Sequence, residues 1–179
     1  MKMKSCSIDE ILRDGGKIHI RLIHPDDKKR LIAGFNHLSK QSIYFRFLGS
    51  KKELAKKDLI YFTEIDYDKH IALVATIPQN GDEEIIAVGR YIENEQSDSK
   101  PSAEIALAVV DNHQHRGIGS LLFEKLMLIA RSQGRIQQFE AYVFPDNQRM
   151  LEIFNHHGFN VHRSREEDLM YITCSIYRI

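Results

Sequence analysis

The chain has 179 residues, 42% of them hydrophobic, and its 25 Lys and Arg residues balance its 25 Asp and Glu residues, so the formal net charge is zero. This hydrophobic content excludes a disordered chain, and the length predicts one domain with a substantial core. The balanced charge removes the broad basic signature of a nucleic-acid-binding protein.

The N-terminus and the cysteines indicate a cytoplasmic protein. The first twelve residues contain lysines but no apolar run of signal length, and no later stretch approaches the length of a membrane span. Cys6 and Cys174 are far apart in the sequence and are expected to be reduced thiols rather than metal ligands.

The first half of the chain predicts strands interspersed with short helices. Residues 1–16 are expected to be a lead-in that ends in the Asp14-Gly15-Gly16 turn. Alternation and β-branched composition predict strands at 17–24, 70–77, 84–92 and 102–110, the last three joined by a turn at 80–82 and a polar loop at 93–101. Helices are predicted from Pro25 onwards, within 39–47 and at 54–64, with candidate core residues Leu31, Ile32, Phe35, Leu54, Leu59, Tyr61 and Phe62.

A glycine-containing segment, 114–120, joins the strand at 102–110 to an amphipathic helix that begins near Ile118 and stops at Gly134. Gly117 and Gly119 let the backbone turn tightly and approach a ligand closely. The helix N-terminus offers free N–H groups and Arg116 adds a positive charge, so the segment is suited to bind phosphate groups.

Other nucleotide-binding loops fit this segment less well. A Walker loop needs a Lys after its last glycine, and none follows Gly119. The dinucleotide fingerprint needs a third glycine where this chain has Leu122, although Glu140 lies near the place of that fingerprint's acid, so it is kept as a distant alternative. A plain turn between strand and helix is the alternative that involves no ligand.

The second half of the chain predicts a strand at 138–144, a helix after Pro145, and final strands at 159–162 and 169–177. Asn147 is a candidate cap for that helix, which Gly158 ends. No repeat or interdomain linker interrupts 17–179, and we expect this range to be a single domain.

Two motifs resemble the GNAT family of acetyltransferases. Gln114, Gly117 and Gly119 match the Gln-x-x-Gly-x-Gly loop that binds the pyrophosphate of acetyl-CoA. A later segment matches at Val143, Asn147, Met150, Leu151, Phe154, Gly158 and Phe159. The resemblance is closer still to the acetyltransferase domain of bacterial Pat-type protein lysine acetyltransferases, through His19-Ile20-Arg21, Ser42-Ile43-Tyr44-Phe45-Arg46-Phe47, Asp66-Tyr67-Asp68, Val88-Gly89-Arg90-Tyr91 and Ala103-Glu104-Ile105-Ala106.

This resemblance implies the α/β (α+β) GNAT fold, a mixed, mostly antiparallel sheet with helices on both faces. Acetyl-CoA would enter where the strands at 104–110 and 138–144 separate, and would contact Val109, Val110, Gln114, His115, Arg116, Gly117, Ile118, Gly119, Ser120 and Asn147. Its acetyl group would pass directly to a primary amine, in first place a protein lysine side chain. The alternatives are a GNAT enzyme for a small amine, such as a polyamine or an antibiotic, and a non-catalytic acetyl-CoA sensor.

Glu104 is the candidate general base. It is the only charged residue from Ala103 to Val110, in a run that barely alternates and is therefore expected to be covered on both faces. Desolvation raises the pKa of a carboxylate, which would suit it to take a proton from a lysine ammonium. The Pat-type resemblance implies the same role, and the alternative is an ion-paired or edge-exposed structural glutamate.

The group that protonates the leaving thiolate is open. Many GNAT enzymes have a Tyr where this chain has Phe154, which cannot donate a proton. Tyr142 is a possible substitute, although it can equally be a packing residue of the sheet. No metal is expected, because His113, His115, His156 and His157 have no ligand spacing and no Cys or carboxylate completes a set.

Overall fold

The computed structural model describes residues 6–94, 100–158, 160–163 and 168–177, and one mixed sheet of eight strands runs through this part of the chain. The strands lie in the spatial order β1-β2-β3-β4-β5-β6-β8-β7, and every neighbouring pair is antiparallel except β5 with β6. Their bounds are β1 Ser7–Ile11, β2 Lys17–Leu22, β3 His70–Gln79, β4 Asp82–Asn94, β5 Ser102–Val109, β6 Gln138–Val143, β7 Asn160–Arg163 and β8 Met170–Ser175. The predicted mixed, mostly antiparallel sheet is confirmed.

Helices cover both faces of this sheet, as predicted. They are α1 Lys28–Asn36, α2 Lys40–Phe47, α3 Lys56–Thr63, α4 Ile118–Gln133 and α5 Gln148–His157, with short 3-10 turns at Pro25–Asp27 and Asp111–His113. On one face α4 packs against Gly89 and Leu107, and α5 joins the same core through Phe154. The opposite face carries α1, whose Gly34 lies against the carbonyl of Ile85.

The largest part of the core forms beneath α4. The helix begins after Gly117 (φ 81°) and ends at Gly134 (φ 69°), two left-handed positions that glycine adopts without a Cβ clash. Its buried stripe includes Ile118, Leu122, Leu126 and Ala130, the spacing expected of a helix packed on a sheet. The ring of Phe123 meets Phe139 and Phe154 edge-on, with centroids 5.7 and 5.4 Å away.

The N-terminal part differs from the expected lead-in, because Ser7–Ile11 pairs with β2 as an edge strand. Polar residues such as Asp9 obscure its alternation, and the hairpin is held by backbone pairing rather than by deep burial. The assignment of Ile32 and Tyr61 to the core is wrong, since they are 38% and 55% exposed. The predicted loop at 93–101 is shorter, because β4 continues to Asn94; residues 95–99, like Phe159, lie outside the described residues.

Candidate active site

The site lies where β5 and β6 separate. These strands pair only through Ser102–Glu104 of β5 and Gln138–Glu140 of β6, after which β5 stays with β4 and β6 stays with β8. The predicted separation is therefore confirmed. It opens a cleft of about 390 Å³ between the two strands.

Residues from five parts of the chain line this cleft. Residues Glu104, Ile105, Ala106, Leu107, Ala108 and Val109 of β5 form one wall. The glycine segment and the 3-10 turn before it contribute His113, Gln114, His115, Gly117, Ile118, Gly119 and Ser120 at one end. The other walls include Ser42, Phe45, Arg46 and Leu48 of the α2 region, Ala141, Tyr142 and Val143 of β6, and Asn147, Arg149, Met150 and His156 of the α5 region.

The end of the cleft at α4 is built to receive an anion. Gly117 is left-handed at φ 81°, and the first intrahelical bond runs from the Leu121 amide to the Gly117 carbonyl at 3.0 Å. The amides of residues 118–120 precede that bond, so they have no helical carbonyl four residues earlier to accept from them. Together with the helix dipole, these free N–H groups make this end of the cleft suited to bind an anion.

Gly119 has a packing role that the sequence did not suggest. A Cβ at this position would lie 3.1 Å from Cδ1 of Ile153, which belongs to α5. At Gly117 no heavy atom lies within 4 Å of a Cβ, and its positive φ is what favours glycine. The two glycines therefore have different roles. Gly119 leaves space for Ile153 of α5, and Gly117 allows the turn before α4.

Gln114 organises the loop from inside. Its Nε2 donates to the carbonyl of Val109 at 2.9 Å and to Oγ of Ser42 at 3.2 Å. Asp111 accepts from the Ser39 amide at 2.9 Å and from Oγ of Ser42 at 3.1 Å. These bonds attach the start of α2 to the glycine segment, so both sides of the cleft are held together at one end.

Two of the predicted cofactor-binding residues do not line the cleft. The Arg116 guanidinium is turned to Asp14, with Nε 2.5 Å from Oδ2, and NH1 is 3.0 Å from Nδ1 of His113. Val110 is buried, and its amide donates to the carbonyl of Ile86 at 2.9 Å. The other predicted residues, Val109, Gln114, His115, Gly117, Ile118, Gly119, Ser120 and Asn147, lie together around the cleft.

Asn147 caps α5, as its sequence position indicates. Its side-chain oxygen accepts from the Met150 amide at 3.3 Å. No hydrogen bond from its Nδ2 to another described residue is present, and the residue borders the cleft. Capping and ligand contact are therefore compatible, because they use different atoms of the same amide.

Glu104 lies at the end of the cleft away from the glycine segment, and its surroundings differ from those predicted. The strand is not covered on both faces, and Glu104 is exposed, because Glu104 to Val109 border an open cleft. The prediction that the Glu104 carboxylate is desolvated is therefore wrong. Among the described residues, no side chain forms a hydrogen bond or an ion pair with Glu104, which leaves its carboxylate available to a ligand.

The two residues considered for protonating a thiolate occupy different environments. Phe154 is fully buried in the core and is absent from the cleft lining. Tyr142 borders the cleft, is 50% exposed, and packs its ring on Tyr171 with the centroids 5.2 Å apart. Tyr142 thus has a packing contact in the sheet and is also accessible from the cleft.

The histidines do not form a metal site within the described ranges, where no group of three or more His, Cys, Asp or Glu side chains could hold an ion. His157 stacks on Phe123 with the centroids 4.9 Å apart. Burial and the charge of Arg116 lower the pKa of His113. Both histidines therefore have surroundings that account for them without a metal.

Arg46 and Arg149 are cleft residues that the sequence did not single out as site residues. Arg149 lies in the first turn of α5, and Arg46 lies on α2 within one of the stretches that carry the Pat-type resemblance. The one feature of the sequence that indicates a special role for Arg46 is its position within an aromatic stretch. Nothing in the local pattern indicates that α2 closes over β5, which is why it was missed.

The cleft between the separated β-strands thus has a helix N-terminus at one end and an unpaired carboxylate at the other. The model of the acetyltransferase (GNAT) family matches residues 40–159. The chain belongs to the GNAT family and is an acyltransferase.

Several known proteins are similar to this chain. The acetyltransferase Pat of Mycolicibacterium smegmatis is 33% identical over 82% of this chain, which spans 42% of that protein. The acetyltransferase PA5475 of Pseudomonas aeruginosa is 30% identical over 74% of this chain and 69% of its own length. The crystal structure of the GNAT domain of S. lividans PAT superposes with a TM-score of 0.84 at 34% identity, covering 94% of this chain and 96% of that one. The chain thus spans less than half of the M. smegmatis relative and nearly all of the S. lividans domain.

None of the helices in the described residues combines the length and the apolar character needed to span a bilayer.

Proposed function

We propose that the chain transfers the acetyl group of acetyl-CoA to a lysine side chain of a protein. The GNAT family uses acetyl-CoA, and the cleft is lined both by the free amides of residues 118–120 at the start of α4 and by the unpaired carboxylate of Glu104 on β5. From Glu104 to Val109, the end of β5, the strand extends over about five residues, or roughly 17 Å, which leaves room for an extended chain along it.

The cofactor-binding residues would divide their tasks along the cleft. The backbone amides of residues 118–120 would bind the pyrophosphate, with Gly117 fixing the turn and Gly119 holding α5 close. His115, Gln114 and Asn147 border the same space. Arg116 would contribute its guanidinium only after leaving Asp14, and Val110 would support the wall from behind.

Acetyl-CoA supplies an activated thioester. The protein would supply the groups that accept and donate protons during the transfer. A lysine must lose a proton before its nitrogen attacks, and Glu104 would accept that proton directly or through a water. The new C–N bond forms as the C–S bond breaks, and the nitrogen then loses its second proton to solvent. The leaving thiolate takes a proton from Tyr142 or from solvent. No covalent enzyme intermediate is needed.

Exposed side chains on and near the cleft support a protein rather than a small amine as the acceptor. Leu48 and Tyr142 border the cleft and are 41% and 50% exposed. Tyr44 is 44% exposed and stacks on Phe144 with the ring centroids 4.6 Å apart. Exposed rigid aromatic side chains beside a cleft are suited to contact another protein surface. The similarity to Pat supports the same choice.

The test is mass spectrometry of a cell lysate incubated with isotopically labelled acetyl-CoA and either the protein or its Glu104→Gln variant. We expect labelled lysines on a limited set of proteins with the wild type and far fewer with the variant. Brisk acetylation of polyamines or other small amines, with no labelled protein, would replace this proposal by the small-amine alternative.

A further inference from the structure

Arg46 differs from most of the arginines whose surroundings are described. Four others are held by carboxylates: Arg21 by Asp27 and Glu83, Arg30 by Asp27 and Asp82, Arg116 by Asp14, and Arg135 by Asp68 and Glu93. No hydrogen bond or ion pair joins Arg46 to any described residue. Its guanidinium instead lies 5.0 and 5.8 Å from the ring centroids of Phe47 and Phe62.

A second arginine increases the positive charge at this place. Arg90 is 3% exposed, and its guanidinium lies 4.5 Å from the centroid of the same Phe62 ring. Its NH1 contacts the Phe62 carbonyl at 3.3 Å and Nε2 of His70 at 3.1 Å, while its Nε has no hydrogen-bond partner among the described atoms. Burial and the charge of Arg46 lower the pKa of Arg90 to about 9.

The charges around these two arginines do not balance. Burial and the charge of Arg90 lower the pKa of His70 to about 4, so the imidazole is neutral and contributes no charge at neutral pH. Burial lowers the pKa of Arg46, the charge of Glu104 opposes that shift, and no ion pair joins the two side chains. No described carboxylate is ion-paired with either guanidinium, and Glu104, the carboxylate that acts on Arg46 through its charge, is used by the proposed reaction for another purpose.

Arg46 is also accessible from the cleft. It lines the same cleft as Glu104, and it borders a smaller adjoining cavity of about 60 Å³ that Arg90 and Phe62 also line. The aromatic contacts hold the planar group in place while leaving its N–H donors unused. An unpaired and partly desolvated guanidinium is suited to bind a carboxylate through two parallel hydrogen bonds.

We propose that Arg46 forms a carboxylate-binding subsite at the acceptor end of the cleft, and that the enzyme prefers a lysine with an Asp or Glu side chain beside it. This inference rests on the proposed function and adds a sequence preference to it. The acidic side chain would supply the missing negative charge beside Arg46 and Arg90, and it would place the lysine amine next to Glu104.

The test uses peptides that contain one lysine and a single Asp at each position from three before to three after it, each matched by the same peptide with Asn. For the wild type we expect kcat/KM to be on the order of tenfold higher for the best Asp peptide than for its Asn counterpart, mostly through KM. Added salt should reduce the ratio, because charge pairs near the surface are screened.

Variants of Arg46 distinguish a loss of recognition of the acidic side chain from a loss of folding. Arg46→Gln should bring the Asp-to-Asn ratio close to one, and Arg46→Lys should leave an intermediate ratio, because it keeps the charge but loses the planar fork. Both should bind acetyl-CoA as the wild type does, which calorimetry would check. Lys52→Gln is the matched control, since Lys52 is exposed and outside the cleft, and it should keep the full ratio.

Each remaining outcome decides against the proposal. Equal rates on Asp and Asn peptides at every position would overturn the subsite and leave lysine acetylation intact. A ratio that survives in Arg46→Gln would assign the preference to another group. If the wild type modifies no lysine peptide at all, the proposed function fails and the subsite fails with it.

Discussion

Glu104 and Glu140 are direct register partners on the two parallel strands, in the last pair before β5 and β6 separate. Their side chains share one face of the sheet, yet their surroundings differ. The Glu140 carboxylate accepts from the Tyr171 hydroxyl at 2.6 Å and from Nδ2 of Asn94 at 3.0 Å. Glu104 has no such partner among the described residues. Of two neighbouring carboxylates, one is therefore held by the protein and one is free to react.

This pair provides a matched test of the general base. Glu104→Gln keeps the shape of the side chain and removes its ability to take a proton, so turnover should fall by ~10²–10⁴-fold while acetyl-CoA affinity is retained. Glu140→Gln makes the same change one strand away and should leave turnover within a few-fold of the wild type. Near-normal rates of Glu104→Gln between about pH 6 and 9 would show that another group or bulk water accepts the proton.

A second prediction concerns the packing of Gly119. Gly119→Val places a branched side chain against Cδ1 of Ile153, so the Ile153 side chain or α5 must give way, and we expect the amides of the loop to shift with them. We expect acetyl-CoA binding to weaken by ~1–3 kcal/mol, the range of charge-assisted hydrogen bonds, as measured by calorimetry. Gly49→Val is the control, because no heavy atom lies within 4 Å of a Cβ there.

The double variant Gly119→Val with Ile153→Ala distinguishes two causes of that loss. If the crowding of α5 is responsible, the smaller side chain should restore most of the affinity. If the valine itself prevents the pyrophosphate from approaching the backbone, the affinity should stay low. Unchanged affinity in a folded Gly119→Val variant would contradict both explanations.

Tyr142 can be tested as the proton donor to the thiolate. Tyr142→Phe keeps the ring that packs on Tyr171 and removes only the hydroxyl. Turnover should fall by about 10–100-fold, less than for the base, because a thiolate needs less help to leave than an amine needs to lose its proton. Tyr44→Phe removes another exposed hydroxyl and serves as the control. Equal turnover of the two variants would assign the proton to solvent.

His70 should make the stability of the protein depend on pH. Burial and the charge of Arg90 lower its pKa to about 4, whereas a histidine in the unfolded chain titrates near about 6.5. Between these values the unfolded state binds more protons, so the free energy of unfolding decreases as the pH falls through this window. The decrease due to His70 should reach at most about 3 kcal/mol, as measured by urea denaturation at several pH values.

The variant His70→Gln should remove this contribution. Its free energy of unfolding should change less than that of the wild type between about pH 7 and 4.5. His37→Gln is the matched control, because the side chain of His37 is 55% exposed. Parallel pH curves for the wild type and His70→Gln would contradict the neutral, buried imidazole.

The sequence predicted those features of the site that depend on neighbouring residues. The glycine segment, the helix after it and the cap at Asn147 each follow from a few adjacent residues, and all three lie at the cleft. The separation of β5 and β6 could be inferred from the resemblance to GNAT enzymes. Propensity and spacing carry this information because turns, caps and helix starts are local structures.

The features that the sequence did not predict depend on distant contacts. Arg116 points away from the cleft because Asp14, 102 residues earlier, accepts its hydrogen bonds. Glu104 is exposed although its strand is apolar, since a cleft and a second helix layer both favour apolar residues on the strand they face. Arg46 reaches the site only because Asp111 and Gln114 hold α2 beside β5.

The short pairing of β5 with β6 also has a mechanical consequence. In the described part of the sheet, strand pairing between the group β1–β5 and the group β6, β8 and β7 runs through three residue pairs. A force that pulls the two parts of the sheet apart would concentrate at Ser102–Glu104, because the neighbouring strand edges are unpaired. A ligand bridging both edges would share that load. The gap that admits a substrate thus also leaves the shortest strand pairing of the described sheet. The protein with a bound ligand should resist mechanical separation of the two parts better than the protein without one.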